Sequence, residues 1–287
     1  MRLPPSRMLE GDLDAEGALR RIVATCRGDL IKARAAVLTT RRANAVHQTR
    51  VALRRLRAAL VMFRDVVSDT EMPVLAAEAR WLAGECAPSR DLYVFLKGSI
   101  TDSSGTISRI GAKLARDRLF RARSALRSDR YSAFDLKLSR LASTSPTKGG
   151  AALKAFGQAA LEAQYARVRR RGRKFSSLKA AQLHRLRIAV KKLRYAEAFL
   201  QPAFNSVAAR AYVQETAHLQ NMLGVAHDRA VAPQMIADIA AAARPSDNAR
   251  SPLKRLAKRL KSGANRDNRR LRRAWTSFKK VEPFWRT

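Results

Sequence analysis

The stretch VHQTRVALRRLRAALVMF, beginning at Val46, returns as LHRLRIAVKKLRYAEAFL, beginning at Leu183. His47 aligns with His184, a spacing of 184 − 47 = 137 residues. The same spacing pairs Arg50 with Arg187, Arg54 with Lys191, Arg55 with Lys192, Leu56 with Leu193 and Arg57 with Arg194. It continues without a gap through Glu78 and Glu215, Leu82 and Leu219, and Asp91 and Asp228. Such self-similarity at one fixed spacing means two copies of one structural unit. It fades before His47, although Arg34 still meets Arg171, and weakens after Asp91.

Both copies read as helix. Most of the chain is rich in Ala, Leu and Arg with helical spacing of apolar positions, and alternating strand patterns are absent. Breaks are expected at Ser99–Gly105 (SITDSSG), Ser143–Gly150 (STSPTKGG) and Arg244–Pro252 (RPSDNARSP), with Pro73, Pro88 and Pro202 at helix ends. The expected fold is therefore all-α. A tail at 1–13 precedes two homologous helical halves, 14–145 and 146–287, joined at the central polar stretch and together forming one domain.

On a wheel advancing 100° per residue, His47, Arg50, Arg54 and Arg57 fall within an arc of roughly 80°. Leu53, Leu56, Leu60 and Phe63 gather opposite. In the second copy His184, Arg187, Lys191 and Arg194 share a face with Tyr195 beside them, and Leu186, Val190, Leu193 and Leu200 form the apolar stripe. Arg55 and Lys192 sit on the flanks. No acid occurs between His47 and Arg64, and the second copy has its first at Glu197. Like charges at i and i+4 repel, and a solvated face normally mixes signs. A row of one sign, kept twice, is suited to an anion, and Arg presents a planar fork that matches phosphate oxygens.

The whole chain supports that direction. It carries 58 Lys and Arg against 23 Asp and Glu, a formal charge of +35, yet 46% of its residues are hydrophobic. It can bury a core, and its surplus charge favours a polyanionic partner through counterion release. The paired histidines admit ligand contact at the head of each row, a structural hydrogen bond between helices, or metal ligation. No H-E-x-x-H pattern or nearby Cys supplies further metal ligands. Asp91 and Asp228 follow the short stretches SRD and AHD. Each reads as a carboxylate in a first helical turn, capping the helix or buttressing an Arg of the basic row.

Several classes are set aside. There is no G-x-x-x-x-G-K-[ST] loop, no G-x-G-x-x-G, no carboxylate cluster for Mg²⁺ and no nucleophile elbow. No enzyme activity, cofactor or metal is expected. The opening MRLPPSRMLEGDLDAEG lacks an apolar core, no run of 18 apolar residues occurs, and Cys26 and Cys86 match no disulfide framework. A cytoplasmic protein without membrane partners is expected.

The stretch VHQTRVALRRLRAAL, its partner LHRLRIAVKKLRYAEAFL, the segment LQNMLGVAHD and the closing Trp275, Phe278, Pro283, Phe284 and Trp285 resemble the CHAD family, the conserved-histidine α-helical domain. The resemblance runs from Asp14 to Trp285. It implies two four-helix-bundle-like halves related by a pseudo-twofold axis around a basic cleft that binds inorganic polyphosphate, in proteins associated with polyphosphate granules. It implies ligand contacts from Arg50, Arg54, Arg55, Arg57, Arg187, Lys191, Lys192 and Arg194, with His47 and His184 as the name-giving histidines. Arg90 stands where the second half has His227, and Trp81 where it has His218, so the halves are not equivalent. The competing expectation is sequence-independent nucleic-acid binding, weaker and electrostatic. Aromatics are only 6% of the chain, and the motif helices offer only Phe63, Tyr195 and Phe199 for base stacking.

Overall fold

The structure, a computed structural model, describes residues 13–40, 45–67, 71–99, 105–145, 151–204, 208–262 and 264–286. The expected tail, apart from Leu13, and parts of the expected breaks at Ser99–Gly105 and Ser143–Gly150 lie outside the described residues. The fold is all-α. Its helices are α1 (Ala15–Thr39), α2 (Ala45–Met62), α3 (Glu71–Ser99), α4 (Thr106–Arg127), α5 (Asp129–Ser143), α6 (Leu153–Arg171), α7 (Ala180–Leu200), α8 (Ala208–Ala242), α9 (Arg250–Ser262) and α10 (Ala264–Lys280). The two copies of the motif lie on α2 and α7, each followed by a long helix, α3 and α8.

Local chemistry sets several of these boundaries. The Asp14 carboxylate accepts from the Gly17 N–H at 2.7 Å and caps α1. Ser128 ends α4 and caps α5 by accepting from the Tyr131 N–H. After α8 the chain makes a 3₁₀ turn at Pro245–Asp247 and passes Asn248, whose φ of 48° is a left-handed conformation that Asn tolerates, before α9 starts.

The prolines correct part of the sequence reading. Pro88 does not end a helix; α3 runs through it to Ser99, and α8 likewise runs through Pro233. A proline inside a helix removes one ladder hydrogen bond. Here the helix beyond it is held by packing, because Leu92 and Phe95 of α3 are buried with Ile110, Ile239, Leu253 and Leu256. Asp91 and Asp228 consequently sit inside long helices rather than in first turns.

One large apolar cluster runs through both copies of the repeat. Leu53, Leu56 and Leu60 of α2 share it with Leu186, Leu193 and Phe199 of α7, and α1, α3, α4, α5, α6, α8, α10 and the C-terminal segment also contribute. The apolar stripes therefore face inward, as the wheel requires. The C-terminal segment closes this core. Phe284 and Trp285 pack edge-on against Tyr212, the Trp285 indole N–H donates to Glu162 at 3.0 Å, and Arg286 clasps the same carboxylate.

Candidate functional site

The apolar stripes turn the basic rows of α2 and α7 away from the main core, and the two helices pack directly against each other. That contact merges the rows. Burial first, and then the guanidinium groups of Arg54, Arg187, Arg50 and Arg57, push the Lys191 ammonium down to about 8. Three of those four arginines belong to α2, so cations from both copies share one neighbourhood. Arg187 is also pulled below its ordinary value, chiefly by burial and by Arg54, with Asp228 and Asp91 opposing.

The acids present are few and already engaged. Arg50 donates to the Ala83 carbonyl at 3.1 Å and reaches Asp91 of α3 at 3.4 Å. The Ala83 carbonyl lies one residue before the one that Pro88 deprives of its ladder partner. Asp91 thus braces Arg50 and acts on Arg187 across the helix contact, while Asp228 of α8 acts on Arg187. Among the described residues, Arg54 and Lys191 have no acidic partner. The Nε–H groups of Arg50 and Arg54 are buried without a protein acceptor. Arg54 lies beside the Tyr195 hydroxyl, which burial holds above its usual range. Arg57 and Lys192 are exposed at the edge of the cluster.

Three expected ligand residues are more deeply placed than the others. Arg55 is buried and pairs with Asp29 of α1 at 2.8 Å. Arg194 is buried, donates to the Val213 carbonyl at 2.8 Å and lies 3.8 Å from Glu197. Tyr195 is 2% exposed and stacks on Phe199. Of the three, Tyr195 keeps its hydroxyl beside Arg54 of the cluster. The physical reason for the depth of Arg55 and Arg194 is visible in the repeat. Asp29 has Ala166 at the corresponding position, so Lys192 lacks the acid that draws Arg55 inward. Glu197 has Leu60 at the corresponding position, so Arg57 lacks the acid beside Arg194 and stays exposed. Burial raises the Glu197 carboxyl to about 8, so the Val213 carbonyl is the main acceptor for the buried Arg194 guanidinium.

His47 is half-buried at the head of its row, and His184 is exposed at the head of the other. His184 Nδ1 lies 3.4 Å from His227 Nδ1 of α8, so one ring donates to the other. Burial, with Arg187 and His184 next, pushes His227 down to about 4, which keeps it neutral at pH 7. This pairing was not read from the repeat, where His227 stood only as a mismatch with Arg90. Among the described residues no three His, Cys, Asp or Glu side chains gather as a metal ion would need. Cys26 and Cys86 are buried, and burial raises both thiols to about 12.

The family model for the CHAD domain matches residues 21–237, which contain both basic rows, Asp91, Asp228 and the histidine pair. The chain belongs to the CHAD family. A crystal structure of the CHAD domain from the plant Ricinus communis is 25% identical, with a TM-score of 0.81 over 96% of this chain and 94% of that one. The CHAD likeness therefore extends beyond residue 237 into α9 and α10. PptA from Streptomyces chartreusis shares the fold at 17% identity, with a TM-score of 0.59 over 96% of this chain and 100% of that one. No curated protein matches the chain. Among the described residues of this CHAD protein, no helix is long and apolar enough to cross a membrane.

Proposed function

We propose that this CHAD protein binds inorganic polyphosphate along the merged rows of α2 and α7, without chemical conversion of the ligand. One observation carries the reading. Lys191 is held at about 8 by its own burial and by four arginines, and Arg54 and Lys191 have no acid to offset them among the described residues. A fold keeps so unfavourable a cluster where an anion neutralises it. The half-buried position of Lys191 favours a slender, flexible chain of phosphates over the outside of a rigid duplex. Base stacking has little support, because Phe63, Phe199 and Tyr195 are 0%, 1% and 2% exposed. His47, Arg50, Arg54, Arg57, Arg187, Lys191 and Lys192 are the proposed contacts, with Asp91 and Asp228 as braces. Residence in the cytoplasm on polyphosphate granules is the corresponding cellular proposal.

Calorimetric titration with polyphosphate of defined length tests this. Affinity should fall linearly in log–log form with salt, with a slope of order one per phosphate contacted if the DNA relation transfers. Lys191 adds a pH signature. Phosphate oxygens in contact raise its pKa from about 8 toward or above the ordinary value of 10.5, so binding takes up a proton near pH 8. Affinity should be flat just below pH 8 and decline by up to tenfold per pH unit above it. The Lys191→Arg variant should lose that decline while still binding. No binding at low salt, or binding indifferent to salt, would refute the proposal.

A further inference from the structure

The basic segment Arg167–Lys174 (RVRRRGRK) lies at the C-terminal end of α6, outside the two rows. α6 packs along α7, and Arg167 and Arg171 stand four residues apart, hence on one face of α6. On α7, Lys192 is exposed and within electrostatic reach of both arginines. After burial, its ammonium is pulled down by Arg167, then Arg57, then Arg171. Lys192 thus has the α2 row on one side, through Arg57, and the end of α6 on the other. Among the described residues, neither Arg167 nor Arg171 has an acidic partner.

This end of α6 is not a loose basic tail. Gly172, which follows it, lies against the Trp275 indole of α10 so closely that a Cβ there would come 2.1 Å from a ring carbon. Only glycine leaves room for the indole. Phe175 then stacks on the same indole, with ring centroids 5.1 Å apart and planes 7° from parallel. Trp275 is itself 5% exposed. The helix end is therefore pinned to α10 by a glycine-and-aromatic clasp, which fixes the backbone that carries these cations. A shelf on a fixed helix end binds an anion with less ordering of its own backbone than a mobile tail would need.

We infer that Lys192, Arg167 and Arg171 form an exit shelf that carries the polyphosphate chain out of the α2–α7 seam and across the end of α6. The shelf rests on the polyphosphate reading of the seam and adds a property to it, selection for long chains. A short oligophosphate fills the seam alone. A long one also reaches the shelf, with two or more further charge-assisted contacts on an exposed surface. Each such exposed contact is worth about threefold in affinity, so together they amount to about tenfold.

The test compares short and long polyphosphate of defined length on the full chain and on an Arg167→Ser, Arg171→Ser variant. Arg171 is exposed and Arg167 half-buried, and retention of the fold is checked by circular dichroism. A second variant, Arg255→Ser with Lys258→Ser on exposed α9, removes the same charge elsewhere. The shelf variant should lose about tenfold for the long chain and leave the short chain within twofold. The α9 variant should leave the ratio of long to short affinity unchanged. An unchanged ratio in the shelf variant would overturn the shelf while leaving the seam intact. Failure of the unaltered protein to bind either length would overturn the seam reading itself.

Discussion

Replacing Arg54 and Lys191 together by Ala should weaken polyphosphate binding at least a hundredfold and, in the absence of ligand, raise the melting temperature. The two effects have one cause. A hydrogen bond to a charged group contributes about 1.5–3 kcal/mol, so losing two in a half-buried setting amounts to a hundredfold or more. In the unliganded fold the same groups repel. Lys191 is held at about 8, below its ordinary 10.5, so its ammonium works against folding at every pH below about 8. That penalty diminishes as pH rises from about 8 through 10.5. Removing the charge at pH 7 should stabilise the protein by about 1 kcal/mol after allowing for the lost packing of the lysine stem, or a few degrees. Titration calorimetry reads the first effect and scanning calorimetry the second. A fall in melting temperature would mean that the cluster is structural. Such an opposition between stability and binding is the mark of a site held in strain for a ligand.

The second large effect is in the fold. Trp285→Ala should destabilise the protein by about 3–5 kcal/mol, the range for emptying a fully buried aromatic site. The indole is 2% exposed, meets Tyr165, Tyr212 and Phe284 edge-on, and donates to Glu162. Arg286 holds the same carboxylate and, with the indole N–H, keeps it below the usual range for Glu. Loss of the indole also frees the last turn from α6. Chemical denaturation should show the midpoint falling sharply. Trp285→Phe, which keeps most of the volume but not the donor, should cost distinctly less. Equal losses in the two variants would place the stability in the hydrogen bond instead of the packing.

The repeat made much of this legible. Apolar positions at helical spacing located α2 and α7 and their inward faces, and the fixed spacing put Asp91 and Asp228 at matching places. What a wheel does not contain is the neighbour. Arg57 and Arg194 occupy the same angle, yet Arg57 is exposed and Arg194 is buried, because Glu197 and the Val213 carbonyl lie beside only one of them. Arg55 and Lys192 differ in the opposite sense through Asp29. These partners come from other turns and other helices, which no single amphipathic pattern reports. Pro88 misled for a related reason: its local preference ends helices, and the packing of Leu92 and Phe95 overrides it. The histidine pair needed α8 to be laid against α7, bringing together residues 43 positions apart.

The most direct measurement is competition at one fixed ionic strength between defined-length polyphosphate and duplex DNA of equal total charge. If the half-buried seam of α2 and α7 selects a slender phosphate chain, polyphosphate should displace DNA, and the Arg54→Ala, Lys191→Ala variant should lose that preference. If DNA displaces polyphosphate instead, or the two compete equally before and after the substitutions, the cations act only as an unselective basic surface and the polyphosphate reading is contradicted.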